Sequence, residues 1–335
     1  MIFSVFMFLA CAAVIYLACE YFVNGVEWVG RRLNLGSTTT GTVLAAFGTA
    51  LPESAVTFVA VVFGRDEAQK NIGVGAAVGG PLVLATISYA VVGLVLLLNH
   101  RRLQRSDSRL EVDSVRLSRD QGWFLLIFVI SIGLGLIDFR LKRWFGLALF
   151  AVYGLYVWRE MRNDSASNEA HDELQALRFR PKDQNPSLTW AGLQTVSALI
   201  VIAIASRVFV SQIDHIGTAL GLSAQFVALL LSPVATELPE TLNAVIWVRQ
   251  GRERLALANI SGAMMIQATV PAGLALLFTQ WRFDGPLIAA AVITATAVAT
   301  LWALFRSRAV DPKHLIPIGA LYLVFAAVVV WLQQA

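Results

Sequence analysis

Charge is what this sequence has least of. Only 14% of its 335 residues are Asp, Glu, Lys or Arg, against about a quarter in an ordinary soluble domain, which excludes a soluble enzyme and a disordered chain. Cysteine is nearly absent: Cys11 and Cys19 both lie in the first apolar segment, where they read as small buried side chains, and no disulfide scaffold is possible on so few. Histidine numbers four, and His100, His171, His215 and His314 fall in or beside predicted loops, which excludes a transition metal held by imidazoles. The first apolar segment has neither a basic n-region nor a small-residue cleavage site, so it is expected to be a retained span rather than a signal peptide.

What is present is apolar: 57% hydrophobic residues and a mean hydropathy of +0.67. A helix needs about 20 mostly apolar residues to cross the hydrocarbon of a bilayer. Spans are predicted near Ile2–Val29, Thr38–Phe63, Asn71–Leu98, Gly122–Ile137, Trp144–Trp158, Leu188–Val210, Ala224–Val248, Leu255–Thr279, Pro286–Phe305 and Leu315–Leu332. These are ten spans in an all-α membrane protein. Two polar connectors, Asn99–Gln121 and Arg159–Ser187, are the only long loops, and the second divides the chain into a five-span half at 1–158, a connecting loop at 159–187 and a second half at 188–335. Trp123, Trp144, Trp158, Trp190, Trp281 and Trp331 lie near predicted span ends, as interfacial anchors do.

The net charge of +4 carries a topology signal. Ten spans force the loops to alternate sides, and one side then collects 19 of the 26 Lys and Arg residues. That side is expected to be cytoplasmic, which puts both termini on the non-cytoplasmic face of an inner membrane. The basic excess therefore calls for a lipid bilayer and no nucleic acid.

The two halves superpose in sequence. Leu33, Leu35, Leu44, Thr49, Leu51, Pro52 and Glu53 match Leu220, Leu222, Leu231, Thr236, Leu238, Pro239 and Glu240, each 187 residues later. After a shift in the next loop Gly79 meets Gly262, and Ala85-Thr86 meets Ala268-Thr269. Five spans is an odd number, so the second copy enters the membrane from the opposite side. Inverted repeats of this kind build secondary transporters, with the substrate at the midplane where the copies meet.

The repeated core is Gly48-Thr49-Ala50-Leu51-Pro52-Glu53 in the second span and Ala235-Thr236-Glu237-Leu238-Pro239-Glu240 in the seventh. A carboxylate in a membrane helix costs at least about 2.5 kcal/mol on insertion scales, so it persists where it lines a cavity or binds something. Each Pro removes a helical hydrogen bond to the carbonyl four residues back, freeing the oxygens of Gly48 and Ala235. Together with the hydroxyls of Thr49 and Thr236 these form a set of hard oxygen donors, which suits Ca²⁺, Na⁺ or Mg²⁺. Glu237 stands three residues before Glu240, so the two share a helix face and repel unless a cation or a proton lies between them. Glu237 and Glu240 are therefore the candidates for proton coupling. Gln267, Thr86 and Thr269 are the notable polar groups of the following helices, and Gly73, Gly75, Gly79, Gly80 and Gly262 are expected to let those helices pack closely. A pair between Glu20 of the first span and Arg207 of the sixth is a further expectation.

These motifs resemble the cation/Ca²⁺ exchanger superfamily, which includes sodium/calcium and proton/calcium exchangers and carries the signature Gly-Thr-Ser-Leu-Pro-Glu. The resemblance implies that the signature glutamates, here Glu53 and Glu240, bind Ca²⁺ in exchange for Na⁺ or H⁺, with Thr49, Thr236, Gly48 and Ala235 matching as well. The signature Ser is replaced by Ala50 and Glu237, the Gly-Ser-Asn triplet by Gly79-Gly80-Pro81 and Gly262-Ala263-Met264, and the ligand three residues beyond by Leu84 and Gln267. The result is an asymmetric pocket with three carboxylates and one amide. The expected protein is an antiporter, not an enzyme, that needs no cofactor and moves an inorganic cation, with Ca²⁺ first. The same fold with another cargo, such as Na⁺/H⁺, or a non-transporting sensor or scaffold, are the alternatives.

Overall fold

In the computed structural model, residues 2–33, 51–99, 112–164, 175–307 and 310–334 are described. They form eleven helices: α1 (Ile2–Arg32), α2 (Leu51–Phe63), α3 (Glu67–Asn99), α4 (Ser114–Leu136), α5 (Phe145–Asp164), α6 (Leu188–Leu220), α7 (Ala224–Thr236), α8 (Leu238–Arg249), α9 (Glu253–Phe278), α10 (Gly285–Arg306) and α11 (Ala320–Gln334). Helix is the necessary outcome in hydrocarbon, where each backbone N–H and C=O must be satisfied within its own segment. Seven segments, namely α1, α3, α4, α6, α9, α10 and Pro312–Leu332 with α11, are long and apolar enough to cross a membrane. The protein is an all-helical, multi-pass integral membrane protein.

The helix ends follow local chemistry. Asp66, Asp113, Ser223 and Asp284 cap α3, α4, α7 and α10 by accepting from the backbone N–H three residues on. At the end of α6, Gly221 takes the left-handed conformation (φ 68°) that a side chain resists, and Leu222 N–H bonds back to Gly217. This tight turn drops the chain straight into α7.

Three boundaries differ from the sequence reading. The seventh span is two helices, because the chain breaks between Thr236 and Leu238. The connector Asn99–Gln121 is shorter than expected, since Asp113 caps α4 eight residues before the apolar run begins. The last span opens with 3₁₀ turns at Pro312–His314 and Ile316–Gly319, where two prolines deny the backbone donors an α-helix needs.

Two apolar cores organise the packing. In one, α1 and α6 run antiparallel, Phe8 stacking on Phe209 at 4.5 Å, and rest on Val56 and Ala60 of α2 and on Val227 and Ala228 of α7. The other gathers α3, α4, α9, α10 and α11 around a deeply buried α9. Between them α3 lies close on α7: a Cβ at Gly79 would stand 2.6 Å from the Leu229 carbonyl and 2.5 Å from Pro233. Gly79 is therefore required by backbone approach, as small residues in membrane helices commonly are. Gly73 plays the same part against Val61 of α2.

Glu20 does not meet Arg207. In the antiparallel pair Gly25 faces Thr195 and Phe8 faces Phe209, so Glu20 and Arg207 sit about ten residues, or roughly 15 Å, apart along the pair. Glu20 instead binds Arg178 at 2.9 Å, and Arg207 lies over the Phe63 ring. Arg178 belongs to a strap formed by the last part of the connecting loop. Asn24 accepts from Arg178 N–H (3.1 Å) and from Gln194 Nε2 (3.0 Å), Trp28 donates to the Gln175 carbonyl (2.9 Å), and Leu177 is buried against Trp28 and Ala191. The strap thus ties the ends of α1 and α6 together.

Candidate functional site

The site is assembled where α2 meets the break between α7 and α8. Pro239 has no N–H to offer the carbonyl of Ala235, and α7 accordingly stops one residue later. Glu237 sits in the break with φ −94° and ψ −6°, a sparsely populated bridge conformation. Its backbone is held on both sides: Glu237 N–H donates to the Pro233 carbonyl (2.8 Å), and the Glu237 carbonyl accepts from Thr241 N–H (3.1 Å) and Thr241 Oγ1 (3.0 Å). Thr241 Oγ1 is in turn 2.6 Å from Ser88 Oγ on α3. The break is thereby tied to α3.

Glu53, Glu237 and Glu240 are each about 1% exposed. The Thr236 hydroxyl lies 2.5 Å from Glu53 Oε2, 3.2 Å from Glu237 Oε1 and 3.0 Å from the Ser232 carbonyl. One hydroxyl proton serves one acceptor at a time, so the two carboxylates compete for it. Glu240 lies within electrostatic reach of Glu53 and Glu237, and of Cys19 and Tyr16 of α1. Helix α1 therefore passes near the third carboxylate. Gln267, wholly buried on α9, presents its amide to Gly80, where a Cβ would come within 2.9 Å of it, and lies beside Glu237. Gly80 thus makes room for the amide.

Among the described residues no Lys, Arg or His forms an ion pair with any of the three glutamates. Glu53 Oε1, Glu237 Oε2, Glu240 Oε2 and both polar atoms of Gln267 are buried without a hydrogen-bond partner. A protein interior satisfies such groups in the great majority of cases. This one instead leaves a set of oxygens unsatisfied at one place. No group of three or more His, Cys, Asp or Glu among the described residues forms a ready-made metal cage.

Of the predicted site residues, Glu53, Thr236, Glu237, Glu240 and Gln267 are brought together, with Ala235 half-buried beside them. Gly48 and Thr49 lie outside the described residues. Thr57 and Ser232 were not anticipated: both hydroxyls are buried near the glutamates and unpartnered. Their spacing could have revealed them, since Thr57 follows Glu53 by one helical turn and Ser232 precedes Thr236 by one. Thr241 had a clearer signal, because a hydroxyl follows the last glutamate of each motif, as Ser54 and Thr241. Trp281, expected as an interfacial anchor, is 2% exposed and packs on Phe283 inside the bundle.

The family described as Sodium/calcium exchanger protein matches residues 3–161 and 190–334. The chain belongs to that family. Inner membrane protein YrbG of Escherichia coli (strain K12) is 25% identical over 310 residues, covering 90% of this chain and 89% of its own. The crystal structure of the H⁺/Ca²⁺ exchanger CAX has a TM-score of 0.71 at 16% identity, over 98% of this chain and 82% of its own. The sodium-calcium exchanger NCX_Mj has a TM-score of 0.60 at 20% identity, over 97% and 98% of the respective chains. This family member is a transporter rather than an enzyme, with cations as its class of substrate and the fold of those two exchangers.

Proposed function

We propose that this exchanger-family protein is a secondary active antiporter that moves Ca²⁺ in exchange for H⁺ or Na⁺ by alternating access. The observation that carries the reading is that three carboxylates with no basic partner among the described residues are buried where the two repeated motifs touch, Glu53 and Glu237 sharing the Thr236 hydroxyl. Charges held in hydrocarbon are neutralised by a counter-charge, and here the counter-charge is the cargo or the proton. Glu53 and Glu240 are the central ligands. Glu237 is the third ligand and the proton-coupling group, with Thr49, Thr236 and Gln267 and the carbonyls of Gly48 and Ala235 as neutral oxygens. CAX bears the name of an H⁺/Ca²⁺ exchanger, and Glu237 in place of the signature Ser favours H⁺ as the counter-ion.

The proposed architecture is ten spans in two inverted repeats, 1–158 and 188–335, joined by a cytoplasmic loop, with both termini on the other face. Corresponding spans pack in pairs, α1 with α6 and α4 with α10, which supports a two-fold relation between the halves. The close antiparallel pairing of α1 and α6, with Phe8 stacked on Phe209, supports their movement as a unit across the site. Flux into proteoliposomes, with Ca²⁺, Mg²⁺, Mn²⁺, Na⁺ and K⁺ tested at two pH values, checks the reading. Ca²⁺ uptake driven by an outward H⁺ or Na⁺ gradient is expected. A different transported cation would leave the fold and replace the cargo.

A further inference from the structure

Beside Gln267, α3, α4 and α9 line a recess of about 10 Å³ open to the centre of a water molecule. Its polar lining consists of Gln267 and Ser131. Both side chains are buried, at 0% and 2% exposure, and Ser131 Oγ, Gln267 Oε1 and Gln267 Nε2 all lack partners. Thr57, Ser206, Ser232 and Ser261 also carry buried hydroxyls without a partner, but of these five only Ser131 lines the recess. The buried hydroxyls of Thr86, Thr269 and Thr294 fold back onto the carbonyl one turn earlier, at 2.5, 2.7 and 2.7 Å, whereas that of Ser131 finds no such acceptor. Ala77 also lines the recess, and Pro81 has no N–H to give its carbonyl.

The recess is closed by the turn between α9 and α10. Trp281 has φ 45°, the one positive value outside glycine among the described residues, a conformation bulky side chains rarely hold unless the surroundings impose it. Its indole donates to the Ser131 carbonyl (2.9 Å) and its backbone N–H to Thr279 Oγ1 (3.0 Å). Phe283 packs edge-on against Trp281, occupies the space that a side chain at Gly135 would need, and donates its N–H to the Gly135 carbonyl. Arg282 bonds Asp138 across the same turn. The closure is therefore fastened to α4 at several points.

We propose that this recess is a hydration site holding one water molecule between the Ser131 hydroxyl and the Gln267 amide, and that the water fixes the orientation of Gln267 toward the glutamates. The volume admits about one water, and the lining supplies the two to four polar partners a buried water needs. No carboxylate lines it, so nothing there offsets the charge of a cation, and the occupant is neutral. Gln267 then acts at the glutamates from a side chain anchored at the recess. Ser131 is a positioning residue that touches no cargo.

The hydration site is read from density in the wild-type protein, at a resolution where ordered waters are visible, and this measurement is independent of which ion is carried. One peak within hydrogen-bond distance of both Ser131 and Gln267 is expected. A map in which the recess is empty, or in which the two side chains bond directly, overturns the site. The orienting role rests on the transport reading and is tested by Ser131→Val, whose extra methyl groups take the water's place. Its KM for Ca²⁺ is expected to rise about three- to tenfold with kcat little changed, the loss that follows when an apolar group displaces a well-bound water, and Ser131→Thr restores it. A Ser131→Val protein that has lost the density and keeps the wild-type KM overturns the role. Absence of Ca²⁺ flux in the wild type overturns the transport reading and leaves the density result standing.

Discussion

The hydroxyl of Thr236 stands 2.5 Å from the carboxylate of Glu53 across 183 residues of sequence, so one copy of the repeated motif supplies the donor to the acidic group of the other. Neither motif is complete alone. Glu53 thus has one neutral donor and an unpartnered second oxygen, and the contact requires the two motifs to lie at one depth.

That contact has a direct test. Thr236→Val keeps the shape of the side chain and removes the hydroxyl shared by Glu53 and Glu237. Calorimetric titration with Ca²⁺ is expected to show binding weakened about tenfold, equivalent to the loss of roughly one hydrogen bond to a charged group. Thr236→Ser should bind nearly as the wild type does.

The three carboxylates are expected to separate by role. Glu53→Gln and Glu240→Gln should each abolish flux in proteoliposomes while the purified protein remains monodisperse. Glu237→Gln should retain cation binding and lose most of the dependence of flux on pH. Wild-type flux in either of the first two would remove them from the site.

On the proposed reading, protons and cations compete for the same oxygens. Cation binding is therefore expected to weaken as the pH falls, because each proton taken up by the carboxylate set removes a negative charge the cation needs. Apparent Kd measured across the neutral to acidic range in wild-type protein checks the sign. An affinity that rises on acidification would contradict the coupling.

The strap from Gln175 to Ser187 should depend on Asn24 far more than on Glu20. Asn24 bonds Gln194 and the backbone at Gln175, Ala176 and Arg178, so Asn24→Leu strands several buried groups, at about 1–3 kcal/mol for each one left unmet. Glu20→Gln removes a pair whose members are each about one-third exposed, worth at most about 1 kcal/mol. Melting temperature and protease cleavage within the strap, compared for the two variants, measure the difference.

Close packing at Gly79 is the last expectation. Gly79→Val drives side-chain atoms into the Leu229 carbonyl and Pro233, and should give aggregated or unfolded material on size-exclusion chromatography. Gly133→Ala, at a position where a Cβ meets nothing within 4 Å among the described residues, should be tolerated.

Much of the site was legible before the structure because the membrane makes polar residues conspicuous. Glu53, Glu237 and Glu240 stand out in apolar surroundings, and the repeated Leu-Pro-Glu marks them as a matched pair plus one. Thr57, Ser232 and Thr241 were less visible, since a hydroxyl can satisfy itself on its own helix and its presence in a span carries little cost. The Glu20–Arg207 expectation failed because the sequence offset aligns equivalent positions of two copies, whereas an antiparallel pair brings together positions running in opposite directions. Trp281 misled for a related reason: nearness to a span end does not say whether the turn folds outward to the interface or inward over a neighbouring helix.

Hydropathy and the repeat, then, determined from sequence alone that the chain is helical, crosses the membrane many times and concentrates its acidic chemistry in two motifs, because the bilayer leaves a backbone few other choices. Which groups face one another was decided only in three dimensions. The break at Glu237, the reach of Thr236 to Glu53, the room Gly80 leaves for Gln267 and the closed recess at Ser131 all depend on how close separate helices come. That distance is set by packing between segments far apart in the chain.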